Sequence, residues 1–316
     1  MHKHHIFHHN DLDGHASAAI IALAQDQHAV ILFYEMTYGD LFDDSQIDYD
    51  NDYVYIVDFS LQPMDRMAEL IKKANHLTWI DHHQTSVDWV NENLLLFDFR
   101  ICRGVVKTGP QAACALCWEY FFSKRAVPIA LEMLSDYDCW NKNSKYSWDD
   151  ELLPLQMILN HTKPLLEKSA LDFWKDLFNY NSRAEIGRAL LPEGKLLKEF
   201  SDKQDKKNIR ANGYAAEFAG YTAYIVGTTK RGSLQFENAI CTRQYDLLVT
   251  YHRKRASYWV IGLYSVHSHI NCGQIAKELG QQGPFKSGGG HPGAAGFQTN
   301  TAHLAKLLNW ELTENK

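Results

Sequence analysis

No stretch of the chain is apolar over anything near the length of a membrane span, and the basic-then-apolar pattern of a signal peptide is missing. These absences predict a cytoplasmic protein with no membrane partner. An excess of positive charge is missing as well. The net charge of −6 leaves no global basic field to hold long nucleic acid, although a short anionic substrate gripped by a local site stays open. A cysteine framework is absent too: Cys102, Cys139, Cys241 and Cys272 are scattered, as in a reduced intracellular protein. Cys114 and Cys117 form a C-x-x-C, but in an apolar helical stretch without the second pair a zinc ribbon needs, so they read as small core residues.

What is present is globular. Apolar residues make up 45% and aromatics 12% of the 316 positions, enough to build a core and, at this length, to divide into two domains. The stretch Ile80-Asp81-His82-His83-Gln84 follows a short apolar run at 77–80 that reads as a buried strand. A carboxylate and two imidazoles beside a core are costly unless they bind something, and this donor set suits manganese, zinc or a similar cation. Solvation in a strand-to-loop turn is the alternative.

Upstream, residues 6–9 read as a first strand and 14–25 as a helix. Asp11 and Asp13 then lie in the turn between them, with Gly14 permitting tight backbone geometry. Either aspartate alone is an ordinary helix cap; the pair, with His9, has the look of a chelating loop. His2, His4 and His5 read as surface residues. Residues 30–33 form a second strand, and Asp40, Asp43, Asp44, Asp48, Asp50 and Asp52 a solvated loop whose spacing does not suit calcium. An apolar strand at 53–57 ends in Asp58-Phe59-Ser60, after which Pro63 can open a helix over 64–74. Asp11 and Asp13, Asp58, and Asp81 with His82 and His83 thus all fall where a strand ends. Repeated strand–helix–strand units predict a parallel sheet with right-handed crossovers, its ligands gathered beyond the carboxyl ends of the strands.

Residues 94–99 read as another strand. A loop over 100–109 follows, whose cations, Arg103 among them, either hold phosphate at the start of a helix over 110–122 or are merely solvated. An apolar helix at 130–134 leads into Ser135-Asp136-Tyr137-Asp138, a candidate ligand pair or a helix C-terminal turn. The pattern is helical from 149 to about 210, with 195–207 an exposed connecting helix, and beyond it come strands at 221–226, 247–251 and 258–264. His252-Arg253-Lys254-Arg255 reads as a soluble turn between the last two. The expected divisions are 1–185, a helical linker at 186–212, and 213–316. In Ser287-Gly288-Gly289-Gly290-His291-Pro292-Gly293 the triple glycine exposes backbone amides that can cradle phosphate or let a nucleotide lie against the chain.

His9-Asn10-Asp11-Leu12-Asp13-Gly14, Asp58-Phe59-Ser60, Asp81-His82-His83, Ser135-Asp136-Tyr137-Asp138 and Gly288-Gly289-Gly290-His291-Pro292-Gly293-Ala294-Ala295-Gly296 come in that order. Over nearly the whole chain they resemble the DHH phosphoesterase family with its C-terminal DHH-associated domain, and within it the nanoRNases, which degrade very short oligoribonucleotides. The resemblance implies an α/β fold: an N-terminal parallel-sheet domain with helices on both faces, and a smaller C-terminal α/β domain across a cleft. It implies two divalent cations, manganese foremost. His9, Asp11 and Asp58 would hold one, and Asp13, Asp58, His82 and Asp136 the other, with Asp138 the alternative to Asp136. By the same resemblance Asp58, His82 and His83 are catalytic, Asp81 orients an imidazole, and His83, Arg103, Gly289, Gly290 and His291 meet the substrate.

The implied reaction is hydrolysis of short single-stranded oligonucleotides or small nucleotides to nucleoside monophosphates, by water that the cations acidify. A homodimer is compatible with the resemblance. Where the family often carries an arginine in a Ser-x-Arg-Ser stretch, this chain reads Ser265-Val266-His267-Ser268, a looser grip on phosphate. Two other readings stay open: an exopolyphosphatase or pyrophosphatase using the same metals, and a non-catalytic nucleotide sensor. Every expected metal position carries a suitable residue, which counts against the sensor.

Overall fold

The runs Tyr53-Val54-Tyr55-Ile56-Val57 and Leu77-Thr78-Trp79-Ile80 are β-branched and aromatic with apolar residues at successive positions, the pattern of strands covered on both faces. In a computed structural model, which describes residues 2–37, 40–93, 102–229, 232–254, 258–285 and 288–309, they are the central strands of a five-stranded sheet. Its strands are β1 (Lys3–His9), β2 (Val30–Met36), β3 (Tyr53–Val57), β4 (Leu77–Asp81) and β5 (Cys102–Val106). The order is β2-β1-β3-β4-β5 and every pairing is parallel, so the expected architecture holds.

The helices of this half are α1 (Leu12–Leu23), α2 (Asp65–Lys73), α3 (Gln84–Glu92), α4 (Ala113–Phe121), α5 (Ile129–Asp138), α6 (Leu153–Thr162), α7 (Leu171–Phe178) and α8 (Arg183–Ala189). Strand alternation assigns them to faces. Ile6, Val57 and Ile80 pack with Ala16 and Ile20 of α1, Leu116 of α4 and Leu131 of α5, whereas Phe7, Ile56 and Trp79 pack on the opposite face with Met67 and Ile71 of α2 and Val90 of α3. The long α9 (Leu191–Asn212) continues the chain. Two compact units result, Met1–Lys198 and Glu199–Lys316.

The second unit is a mixed sheet of β6 (Gly213–Phe218), β7 (Tyr221–Gly227), β8 (Leu247–Lys254), β9 (Tyr258–Tyr264), β10 (Gly289–His291) and β11 (Ala294–Thr299), in the order β10-β11-β9-β8-β7-β6. Only β7 and β8 run parallel. With it go α10 (Leu234–Glu237), α11 (Cys272–Gln282) and α12 (Thr301–Leu307), and Ile275 and Leu279 of α11 with Leu304 of α12 cover Ile225, Val249, Ile261 and Phe297. The glycine motif is the β10–β11 hairpin, with positive φ at Gly288, Gly289 and Gly290. A Cβ on Gly288 would lie 2.1 Å from the Ala276 carbonyl oxygen, whereas one on Gly289 would meet nothing within 4 Å. Gly289 is therefore needed for its backbone angle, and open space lies beside it.

Several expectations are corrected. Arg103 lies inside strand β5, where it pairs with Thr78, and not in a loop that opens a helix. The strand expected at 94–99 lies outside the described residues. His252, Arg253 and Lys254 extend β8 and are not a turn, because each pairs with a residue of β9. His5 is buried, not superficial: its Nε2 lies 3.1 Å from Asp52, itself a buried member of the stretch read as solvated loop, and its Nδ1 lies 3.0 Å from the Tyr34 hydroxyl. No helix among the described residues is long and apolar enough to cross a membrane.

Trp79 is fully buried and donates its indole N–H to the Phe59 carbonyl at 3.1 Å, tying β4 to the segment just after Asp58. Trp79→Ala is expected to destabilise the first unit by about 3–5 kcal/mol, read as a lower urea midpoint by near-ultraviolet circular dichroism.

Candidate metal centre

The chain leaves β1 for β2 on one side and reaches β3 on the other, so the topological switch point lies between β1 and β3. His9 closes β1, Asp58 follows β3, and His82 follows β4. Asp11 and Asp13 enter from α1, and Asp138 from the last turn of α5. Three groups of side-chain donors form there, each with its ligand atoms within 4.8 Å of one another: His9, Asp11 and Asp58; Asp58, His82 and His83; and Asp13, His82 and Asp138.

Each residue is placed by ordinary backbone chemistry. Asp11 is the N-cap of α1, its Oδ1 accepting from the Gly14 amide at 2.8 Å, while its Oδ2 lies 2.5 Å from His9 Nδ1. Gly14 must be glycine, because a Cβ there would sit 2.2 Å from the His9 carbonyl oxygen. Asp13 accepts from the backbone amides of Ala113 and Cys114 at 2.9 and 2.7 Å, an anion at the N-terminus of α4. Asp58 takes the left-handed conformation at φ 61°, which costs a non-glycine residue about 1–3 kcal/mol. Its amide donates to the Ile80 carbonyl at 2.9 Å, which pins the turn.

The electrostatics are those of a site built around positive charge. Burial, and then the repulsion of Asp138, push Asp13 up to about 6. Burial and the charges of Asp13 and Asp11 raise Asp58 well above the carboxylate range. Burial opposes a charged His82, but Asp138 at 3.2 Å and Asp58 at 3.3 Å outweigh it and raise its pKa. Burial likewise opposes charge on His83 and on Asp81, and their mutual attraction prevails, raising the one and lowering the other. Asp81 accepts from the amides of His82 and His83, from His83 Nδ1 at 2.7 Å and from Ser86 Oγ at 2.5 Å, so it fixes the ring of His83. Asp58 Oδ2 is buried with no hydrogen-bond partner, and cations would satisfy it together with the surrounding imidazole and carboxylate donors. The residues present fit divalent cations.

The predicted residues His9, Asp11, Asp13, Asp58, His82 and His83 come together; Asp136 does not. Its carboxylate accepts from Asn141 Nδ2 at 2.9 Å and from the Ser144 hydroxyl, and Asp138 stands beside His82. Arg103 is not brought in either, since its partner Thr78 lies three residues short of Asp81 on β4. Gly289, Gly290 and His291 belong to the second unit. Two groups escaped the sequence reading. Lys163, following α6, has its pKa pushed down by burial while Asp11 and Glu35 pull it up. His15 of α1 is buried, with Nε2 2.8 Å from Glu35 and Nδ1 unpaired, and burial with Lys163 pushes it down to about 4. Nothing in the local sequence marks either. Cys114 and Cys117 are buried, and burial pushes both thiols well up.

No protein-family model matches this sequence, and no curated protein matches it. Solved structures do. The DHH domain of a member of the s1p family of ribosomal proteins is similar at a TM-score of 0.58 and 13% identity, over 98% of this chain and 85% of that one. RecJ from Thermus thermophilus, solved in complex with Mn2+, is similar at 0.50 and 11% identity; 97% of this chain covers 51% of RecJ. A pGpG-specific phosphodiesterase from Vibrio aligns over 97% of this chain and 96% of its own at 13% identity and a TM-score of 0.49. The fold is that of the DHH-domain proteins.

Two outcomes are expected. Asp58→Asn removes a repelled charge and suits the left-handed turn, so in chelator it should raise the melting temperature by about 2–4 °C while abolishing any rise on adding MnCl2. His15 has a folded pKa below its unfolded one, so the stability it contributes is complete above about pH 6.5 and is lost as the pH falls towards 4. Over that interval the wild type should lose about 3 kcal/mol relative to His15→Gln, measured by urea unfolding at each pH.

Proposed function

We propose that this chain is a phosphodiesterase that uses two divalent cations, manganese by preference, to hydrolyse short oligonucleotides or small nucleotides to nucleoside monophosphates in the manner of the nanoRNases. The observation that carries the reading is the shared donor set: Asp58 and His82 each belong to two of the three groups, and Asp58 keeps a buried oxygen that accepts no hydrogen bond. On one side His9, Asp11 and Asp58 would hold a cation; on the other Asp13, Asp58, His82 and Asp138 would hold its neighbour. Bound cations supply Lewis acidity at the phosphoryl oxygens and lower the pKa of water.

The protein's own groups do the rest. Asp81 anchors His83 through Nδ1, so the ring keeps a fixed orientation and a raised pKa and can neutralise charge growing on a phosphate oxygen. Lys163 lies in the field of Asp11 and Glu35 and adds positive charge on the His9 side. In the second unit, Gly289, with space beside its backbone, and Gly290 and His291 are the residues we assign to nucleotide contact. The mixed imidazole and carboxylate donors favour manganese over magnesium or calcium.

Purified protein with MnCl2 should release mononucleotides from di- to pentaribonucleotides, and chelator should stop it. His83→Ala should lower kcat by about 10²–10³. Full activity in Asp58→Ala would overturn the reading, and hydrolysis of polyphosphate alone would move the protein to the phosphoanhydride hydrolases.

A further inference from the structure

Trp140 lies two residues beyond Asp138, so their Cα atoms are no more than about 7 Å apart. Asp138 lies 3.2 Å from His82 Nε2, and the side chain of the one intervening residue, Cys139, also contacts that histidine. Trp140 takes φ 54°, left-handed, just past the C-cap of α5, where glycine or asparagine is usual. The turn is held in place from several sides. Trp140 N donates to the Tyr137 carbonyl at 2.9 Å, Asn141 N to the Asp136 carbonyl at 2.8 Å, and Lys142 N to the Trp140 carbonyl at 2.9 Å. Asp136, free of the metal centre, clamps the same turn through Asn141 and Ser144.

What this turn presents is an aromatic surface. Trp140 is 43% exposed, whereas Trp79 and Trp174 are fully buried. It meets Trp148 edge to face at 4.9 Å, and Trp148 stacks on Tyr137 at 5.5 Å with 12° between the planes. The Lys142 ammonium sits 5.2 Å from the Trp140 centroid and 5.3 Å from that of Trp148. A large aromatic residue kept in a strained conformation while nearly half exposed is only partly explained by its contacts with Trp148 and Lys142, and strain of this kind gathers at ligand sites.

We propose that Trp140 is the platform on which a nucleobase of the substrate stacks beside the metal centre. The proposal rests on the phosphoesterase reading above and narrows it. Polyphosphate and pyrophosphate have no apolar plane to lay on the ring, whereas every nucleobase has one, and stacking on an aromatic side chain tolerates any base. Trp140 thus selects nucleotides over inorganic phosphates without reading sequence.

Trp140→Gly removes the ring and suits the left-handed backbone, and Trp140→Phe keeps a ring. The test compares kcat/KM for a diribonucleotide with that for a dinucleotide lacking both bases, in the full chain with MnCl2. Trp140→Gly should lose at least about fivefold more on the diribonucleotide than on the abasic diester, the loss appearing in KM, and Trp140→Phe should recover most of it. Equal losses on the two substrates overturn the platform. AMP and ribose 5-phosphate, titrated calorimetrically into wild type and Trp140→Gly, separate this proposal from the catalytic one. AMP binding that depends on Trp140 in a protein that cleaves neither diester keeps the platform and defeats the hydrolase. Equal affinity of the wild type for AMP and ribose 5-phosphate, including none for either, defeats the platform.

Discussion

Asp11, Asp13, Asp58 and Asp138 converge at the carboxyl ends of β1, β3 and β4 from three separate segments of the chain, and Asp13 and Asp58 are buried there. Like charges in a low dielectric repel strongly, and the protein holds them together only by spending interactions elsewhere. Asp13 rests on the first amides of α4, Asp11 on the first turn of α1, and His82 lies between Asp58 and Asp138. Those supports also decide where α1 and α4 sit. Both helices pack on the same face of the sheet, so the centre and that half of the core constrain each other.

Much of this arrangement was visible in the residues alone, because it depends on features that are local. A strand end shows as an apolar run that stops at a polar residue. Asp11, Asp58 and His82 therefore declared themselves, as did the parallel sheet that brings them together. Asp136 and Asp138 were a different problem. They are two residues apart on α5, where each step turns 100°, so they point roughly 200° apart and only one can face His82. Sequence spacing shows that one of them faces inward and leaves open which; the answer depends on how α5 is rotated against α1 and α4.

Other features were hidden for related reasons. Arg103 and Gly104 give Cys102–Val106 the look of a loop, yet it forms β5, because Gly104 can lie against the Trp79 carbonyl, where a Cβ would come within 2.0 Å. The pairing of His5 with Asp52 joins two stretches that each look solvated when read separately. Burial lowers the pKa values of Lys163 and His15, and the elements that bury them are distant in sequence. In each case the decisive contact is tertiary, and no periodicity announces it.

The distinction between a structural and a ligating carboxylate is finally one of lone pairs. A carboxylate has about four acceptor positions. Asp81 gives its positions to His82, His83 and Ser86, and so serves as an orienting group despite lying inside the signature triplet. Asp136 is engaged by Asn141 and Ser144 and shapes a turn. Asp11 caps a helix with one oxygen and keeps the other beside His9, so the cap and the chelating loop weighed as alternatives at this position are one arrangement. Asp58, held in a strained turn with a buried oxygen that accepts no hydrogen bond and has His9 Nδ1 only at 3.7 Å, lies at the far end of this series. Its cost to the fold, in strain, desolvation and repulsion, is what a bound cation would relieve, and through it any metal binding would be coupled to stability.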